Sequence, residues 1–268
     1  MKINKNHLLV SIIIFEVIIV VSGMLYLSEK NKIPSVLVID IHGEIVSAIH
    51  PGGINPDKDS IKVIAEDIIK ILRKYENDNT IKAFIFDIDS NGGNFGDSEL
   101  VRELQQIKKP IVSVVRDQAL SGGYYVASIT DRIFANELSN IADIGYTQVI
   151  EYDPLGNGQY VKCHVASSEF KRMYYDDCPG FDSSRLYIEE IIRLRDATKF
   201  MALEIAKYRN LPENHVLTLS DGTIFSGIGA LKLGLIDEIG GLHEAVDWLE
   251  KELGMELNII YLKELKDG

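Results

Sequence analysis

Short apolar runs alternate along the chain with longer segments in which apolar residues recur every three or four positions. The runs at 36–41, 83–88 and 110–115 are rich in β-branched residues and lead into glycine or polar residues, which is typical of buried strands. Helical spacing of apolar positions predicts helices over 60–75 and 98–107. This β-α-β-α-β order predicts right-handed crossovers and a largely parallel sheet, and therefore an α/β fold.

The second half of the chain has shorter elements around one long amphipathic helix. Two apolar runs flank an Asp-Pro-Leu-Gly-Asn-Gly turn sequence and predict a hairpin. The predicted elements are a strand at 132–135, hairpin strands at 144–152 and 159–165, helices at 185–208, 226–233 and 242–253, and a strand at 258–262. No internal repeat interrupts this order.

The N-terminal segment is apolar over a length sufficient to cross a bilayer as a helix. Two lysines precede it, so we expect the N-terminus inside and the remainder of the chain outside the cell membrane. The predicted organisation is a cytoplasmic tail at 1–7, a single-pass transmembrane anchor at 8–28, a linker at 29–35 and one domain at 36–268. A signal peptide cleaved near Ser22 is the alternative.

Composition narrows the possible partners and cofactors. The net charge of −12 over 268 residues, without a basic stripe, argues against general nucleic-acid binding. The two cysteines, Cys163 and Cys178, are too few for a disulfide scaffold and have no zinc-site spacing. They pair if the domain lies in an oxidising compartment, and are otherwise free thiols. We predict neither a metal nor a cofactor.

A serine followed by two glycines stands at a predicted strand-to-helix junction. Ser121 follows the third strand, and residues 124–128 are compatible with a helix. At such a position, free backbone N–H groups favour negative charge, although an ordinary N-cap serine is the simpler interpretation. Gly92 and Gly93 follow the preceding strand. Because parallel strands end at the same edge of a sheet, we expect the two glycine loops to meet there and form a site.

Three stretches identify a family that the chain resembles, over about Val36 to Leu249. They are Asp89-Ser90-Asn91-Gly92-Gly93, Ser121-Gly122-Gly123-Tyr124-Tyr125 and the segment from Asp221 through Gly227 to Leu242. In this order and spacing they resemble the signal peptide peptidase A family of membrane-bound Ser-Lys peptidases. The resemblance implies a Clp protease/crotonase-like fold, in which repeated β-β-α and β-α-β units form a sheet with flanking helices.

The resemblance also implies roles for individual residues. The family nucleophile falls on Ser121, and its general base falls on Lys171 at the end of Ala166-Ser167-Ser168-Glu169-Phe170-Lys171, with Lys162 as a fallback. The backbone N–H groups of Gly93 and Gly122 match the family's oxyanion hole. A lysine acts as a base only when neutral, which requires burial to lower its pKa from about 10.4.

The chain departs from the family pattern at three positions. Ala166 replaces a lysine, and Asn91 replaces the proline of the usual Ser-Pro-Gly-Gly. The serine that orients the lysine amine in the family falls on Asp143, whose carboxylate favours a charged lysine. Three outcomes are open: a Ser-Lys-Asp arrangement active at higher pH, an aspartate turned away, or a weakened enzyme. Ser139 is an alternative orienting residue.

The resemblance implies a membrane-anchored serine endopeptidase that cuts hydrophobic peptides, such as remnant signal peptides, within a homo-oligomeric ring. Two other functions remain open. The departure at Asp143 is compatible with an inactive membrane scaffold of the same fold. A crotonase-like acyl-CoA enzyme shares the sheet and the two-loop oxyanion hole, but the predicted anchor and the Ser-Gly-Gly-Tyr-Tyr motif disfavour it.

Overall fold

The computed structural model describes residues 18, 33–47, 62–93, 96–153, 157–168, 171 and 185–265. The predicted tail, the predicted anchor apart from Ile18, most of the linker, and Cys178 lie outside these residues. Within the described ranges, no helix combines the length and the apolar character needed to cross a membrane.

The strands are short at the edges of the fold and long at its centre. They are β1 Ser35–His42, β2 Glu44–Val46, β3 Lys62–Ile64, β4 Ile81–Ser90, β5 Ile111–Leu120, β6 Arg132–Ala135, β7 Asn140–Ala142, β8 Thr147–Tyr152, β9 Val161–Ala166, β10 Ile224–Ser226, β11 Glu238–Ile239 and β12 Asn258–Tyr261. The helices are α1 Ala65–Glu76, α2 Gly96–Leu104, α3 Gly122–Ser128, α4 Arg185–Tyr208, α5 Glu213–Thr218, α6 Gly227–Lys232 and α7 Leu242–Leu253, and a 3₁₀ turn covers Leu262–Leu265.

The main sheet has the strand order β10-β7-β5-β4-β1-β12, and β6 and β11 extend it beside the first half of β5. Every pairing in this sheet is parallel except that of β7 with β10. The predicted parallel α/β sheet is therefore confirmed. Two small ladders stand apart from it: parallel β2–β3 and the antiparallel hairpin β8–β9.

Both faces of the sheet are buried, as continuous apolar strands predict. Successive residues of a strand point to opposite faces, so Leu37 and Ile39 pack with the helices α1, α2 and α3, while Val36 and Val38 pack with α7. This sandwich fixes the carboxyl ends of β4 and β5 side by side, and the candidate site lies there.

Several elements differ from their sequence-based predictions. The predicted helix at 60–75 begins only at Ala65, because Lys62–Ile64 form a ladder with Glu44–Val46. Strand β5 continues to Leu120, directly before Ser121, and its last residues pair with β7. The helix 185–208 and the helix 242–253 have the predicted bounds.

Candidate active site

Ser121 lies at a sharp turn between the end of β5 and the start of α3. Its backbone has φ 50° and ψ −120°, a conformation that non-glycine residues rarely adopt. Its N–H donates to the Ala142 carbonyl at 2.7 Å, and its carbonyl accepts from the Tyr125 N–H at 2.9 Å. The hydroxyl does not cap the helix; it donates instead to the Gly145 carbonyl at 3.2 Å. Ser121 thus occupies the N-cap position of α3, but its side chain does not cap the helix.

The two glycine loops meet, as the parallel order predicts. A methyl group on Gly92 would lie 2.9 Å from the Ser121 Cβ, so only a glycine fits there, and its φ of +101° also requires one. The Ile45 N–H donates to the Gly92 carbonyl at 2.9 Å and anchors this loop to β2. Within the described part of the chain, the N–H groups of Gly93 and Gly122 donate no hydrogen bond. Each of the two loops thus presents one N–H group, that of Gly93 or that of Gly122, without an acceptor among the described residues.

Lys171 is buried, with 5% of its surface exposed. Its backbone N–H donates to the Ser168 hydroxyl at 3.1 Å, and that hydroxyl donates to the Asp221 carbonyl. Its amine lies 2.8 Å from the Asp143 carboxylate and donates to the Asp143 backbone carbonyl at 3.1 Å. The carboxylate is therefore turned toward the amine, which excludes an aspartate turned away and leaves open the Ser-Lys-Asp arrangement and the weakened enzyme.

Burial and charge act on Lys171 in opposite directions. Burial lowers its pKa below the ordinary value, and the Asp143 carboxylate partly opposes this change. Burial likewise raises the pKa of Asp143, while the Lys171 charge opposes that change. The net direction favours a neutral amine more than solvent would, which is the direction a general base requires.

Gly145 connects the serine and the lysine, a role that the sequence did not indicate. Its carbonyl accepts the Ser121 hydroxyl, and a methyl group on its Cα would lie 3.1 Å from Lys171 Cδ. Gly222 closes the other side of the lysine, since a methyl group there would lie 2.9 Å from Lys171 Cβ. Lys171 packs closely between these two glycines, which brings its side chain to residues 142–145, the segment whose carbonyls accept hydrogen bonds from Ser121.

Backbone strain is concentrated at this site. The described residues include four non-glycine residues with positive φ: Ser121, Ala142, Asp143 and Asn210. Ser121 is the candidate nucleophile, and Ala142 and Asp143 lie between it and the lysine in the hydrogen-bond network. Each such backbone conformation costs on the order of 1–3 kcal/mol of folding free energy. The antiparallel pairing of β7 with β10 stabilises two of these conformations, because it ends at Ala142 and the next N–H, that of Asp143, donates to the Thr223 carbonyl.

The two alternative residues named from the sequence lie elsewhere. The Ser139 hydroxyl donates to the Arg116 carbonyl at 2.5 Å, so the structure places Asp143, and not Ser139, beside the lysine amine. Lys162 is exposed on β9 and does not share the buried position of Lys171.

One group of described residues has donor atoms close enough to hold a metal ion: Asp40, His42 and Asp87. Arg116 already occupies both carboxylate oxygens of Asp87, with Nε 2.6 Å from Oδ1. A guanidinium at this position repels a cation, and we interpret the group as an ion-pair network that joins β1, β4 and β5.

Comparisons with known proteins find similarity to peptidases. The model of peptidase family S49 matches residues 103–256. The chain is 32% identical over 191 residues to a putative signal peptide peptidase SppA of Enterococcus faecium, covering 68% of this chain and 54% of that protein. It is 27% identical over 231 residues to Protease 4 of Haemophilus influenzae, covering 83% of this chain and 36% of that protein. The chain thus spans about half or less of the length of these relatives.

Two solved structures share the fold at 16% sequence identity. Both are of the 1510-N membrane-bound stomatin-specific protease. A serine-to-alanine variant gives a TM-score of 0.55, covering 86% of this chain and 98% of that one. A lysine-to-alanine variant in complex with a substrate peptide gives a TM-score of 0.56, covering 86% and 92%.

Proposed function

The chain belongs to peptidase family S49, and from this we propose that it is a membrane-anchored serine endopeptidase that works through Ser121 and Lys171. The observation that carries the proposal is the convergence at Gly145, where the serine hydroxyl and the buried lysine side chain contact the same residue. A serine hydroxyl needs a base to become nucleophilic, and Lys171 is the buried amine beside this segment.

The proposed reaction is acyl transfer in two steps. The Ser121 oxygen attacks the scissile carbonyl while the neutral Lys171 amine takes the hydroxyl proton. The negative oxygen of the tetrahedral intermediate is stabilised by the free N–H groups of Gly93 and Gly122. The lysine then returns the proton to the leaving peptide nitrogen, and water hydrolyses the acyl-enzyme by the same route. For the first transfer, the Ser121 hydroxyl must turn from the Gly145 carbonyl toward the amine.

The finer parts of the proposal have separate support. The segment 8–28 has the length and composition of a membrane anchor, and apolar peptides such as remnant signal peptides are the proposed substrates, in keeping with the names of the relatives. Cys163 is disulfide-bonded, which favours an extracytoplasmic compartment. We further propose the Clp protease/crotonase-like version of the α/β fold.

Self-association into a ring is the proposed assembly. Helix α4 leaves large apolar side chains exposed, and such a surface is typical of an interaction site. These side chains are Leu186, Ile188, Ile192 and Phe200. The mass of the full chain in detergent, measured by light scattering, tests this part independently of catalysis.

The test of the catalytic proposal is the replacement Ser121→Ala in the full chain. We expect cleavage of a fluorogenic apolar peptide to fall at least a thousandfold, since no other nucleophile replaces the lost hydroxyl. Ser128→Ala is a matched control, because Ser128 lies in α3, the helix that follows Ser121, and its hydroxyl donates to the Tyr125 carbonyl. Cleavage that survives Ser121→Ala would show that the nucleophile is elsewhere.

A catalytically silent member of the family is the second candidate, and one observation favours it. The Lys171 amine forms an ion pair with the Asp143 carboxylate, while the Ser121 hydroxyl donates its hydrogen bond to the Gly145 carbonyl and not to the lysine. A fluorophosphonate probe separates the two candidates, because it labels only an activated serine. Labelling of Ser121 at any pH between 6 and 10 excludes the silent protein, and its absence throughout excludes the peptidase.

A further inference from the structure

Asp97 is a buried acid that the proposed reaction does not use. It lies in the first turn of α2 with 1% of its surface exposed. One carboxylate oxygen, Oδ1, accepts from the Ser98 N–H at 2.5 Å and from the Ser98 hydroxyl at 3.2 Å. The other, Oδ2, is buried and has no hydrogen-bond partner among the described residues. Such a group is uncommon, because a buried carboxylate without its full set of partners is costly.

The unpartnered oxygen lies against the proposed oxyanion hole. A methyl group on Gly122 would be 2.3 Å from Asp97 Oδ2 and 3.0 Å from Asp97 Cγ. The carboxyl group therefore packs directly on the backbone of Gly122, whose N–H is one of the two proposed oxyanion donors. A negative charge on Asp97 would stand close to the negative charge that develops on the substrate oxygen.

The groups that face Asp97 do not neutralise it. Tyr125 of α3 and Tyr146, which precedes β8, both interact with it electrostatically. Burial raises the pKa of both phenols, that of Tyr146 to about 12, so both are neutral. On the other elements packed against α2, the charged groups named next form ion pairs with residues other than Asp97. On α1, Arg73 pairs with Glu103; on β2, Glu44 pairs with Lys62.

Burial also places the ionisation of Asp97 in a useful range. Burial raises the pKa of the Asp97 carboxyl group to about 6, and the hydrogen bonds that Ser98 donates to it only partly oppose this change. The group is therefore largely neutral below this pH and largely charged above it.

We propose that Asp97 is a positioning residue that sets the strength of the oxyanion hole through Gly122. In its charged form it opposes the oxyanion and slows acyl transfer, and in its protonated form it does not. The effect falls on the transition state, because the ground-state carbonyl carries little charge. This inference rests on the proposed function, since it assumes that an oxyanion forms at Gly122.

The test is the pH dependence of Asp97→Asn relative to the wild-type chain. The amide keeps the shape of the side chain and removes the charge. We expect the ratio of kcat/KM, variant over wild type, to be close to 1 at pH 5 and to rise to about tenfold at pH 8, with a midpoint near 6. The change should appear in kcat with KM little altered. Glu99→Gln removes a charge from the exposed side of the same helix and should give a flat ratio.

Each outcome assigns the result to one proposal. A ratio for Asp97→Asn that stays flat between pH 5 and pH 9 overturns the role of Asp97. If that variant does not fold, Asp97→Ser must give the same sigmoidal dependence of the kcat/KM ratio on pH. In addition, the kcat/KM of the wild-type chain must rise less steeply with pH above about pH 6 than below it. Ser121→Ala is assayed alongside. Activity that survives it overturns the proposed function, whereas an inert Ser121→Ala with a flat ratio overturns only the inference about Asp97.

Discussion

Lys171 and Asp143 form a buried pair whose two members affect each other's protonation. Burial favours the neutral amine, and the carboxylate favours the ammonium. A lysine base needs the neutral amine, so Asp143 acts against the proposed chemistry even though it holds the amine in place. The enzyme is therefore expected to work better as pH rises and the amine loses its proton.

Replacing Asp143 with the residue that the family uses should relieve this opposition. In Asp143→Ser the amine loses its neighbouring negative charge while its burial remains, so the pKa of Lys171 falls further. We expect the rising limb of the kcat/KM profile to move to lower pH, with a several-fold gain in activity at pH 7. The measurement is peptide cleavage between pH 6 and pH 10.

Asp196→Ser is the matched control, since Asp196 is an exposed aspartate on α4. Its profile should coincide with that of the wild-type chain. A rising limb that stays in place in Asp143→Ser would mean that the limb reports a group other than Lys171.

At the scale of elements, the loop after β4 supports the loop after β5. Gly92 leaves no room for a side chain next to the Ser121 Cβ. The Ser90 hydroxyl accepts from the Gly92 N–H and donates to the Gly43 carbonyl. The turn that bears the candidate nucleophile is thus positioned by the neighbouring strand as well as by its own.

Gly92→Ala tests this support. The added methyl group would meet Ser121 Cβ at 2.9 Å at a φ of +101°, so either the loop or the serine must move. We expect kcat to fall by about a hundredfold, which is typical of a displacement of about 1 Å at a reacting group. Circular dichroism and the melting temperature report whether the fold is retained.

Gly254→Ala separates local strain from contact with the site. Gly254 also has a positive φ, +65°, but a methyl group there would meet nothing within 4 Å. We expect a loss of about 1 kcal/mol of stability and unchanged cleavage. Equal losses of activity in the two variants would show that strain alone explains the effect of Gly92→Ala.

The elements that the sequence predicted well are those whose pattern is local. The helix 185–208 and the central strands follow directly from the spacing of apolar residues. Strands β2 and β3 were missed because their three-residue ladder pairs residues that are 18 positions apart in the sequence, such as Glu44 with Lys62. Strand β7 is equally short, and its pairing with β5 and β10 is a property of the folded chain.

The candidate site divides in the same way. The strand-to-helix junction at Ser121 and the facing Gly92 follow from the order of strands and glycines. The contact of Lys171 with Gly145 and Gly222 could not be predicted, because it depends on how three distant segments pack. A signal for Gly222 was present, since it lies within a stretch that matches the family.

At the scale of the whole molecule, Asp97 links the global stability to pH. Its folded-state pKa, about 6, is above the ordinary value of 3.8, so the folded chain binds its proton more tightly than the unfolded chain. Stability from this group is complete below pH 4 and is lost as the pH rises through 6. The loss amounts to about 3 kcal/mol at pH 8.

Asp97→Asn should therefore be more stable than the wild-type chain at pH 8 and not at pH 4. We expect urea unfolding to show a gain of about 3 kcal/mol at the higher pH. Glu99→Gln should show no such pH-dependent difference. A stability difference that is the same at both pH values would mean that Asp97 ionises with an ordinary pKa in the folded chain.

Strand β1 separates the point at which the chain enters the sheet from the site. The chain enters at Ser35, and the site lies beyond the opposite end of the parallel strands. Eight residues of strand span roughly 26 Å. If residues 8–28 span a bilayer, as the sequence predicts, and β1 runs along the membrane normal, Ser121 lies at about that height above the lipid headgroups. In that geometry, a peptide embedded in the lipid has to leave the bilayer before it reaches the serine, and the rate of its extraction then limits its degradation.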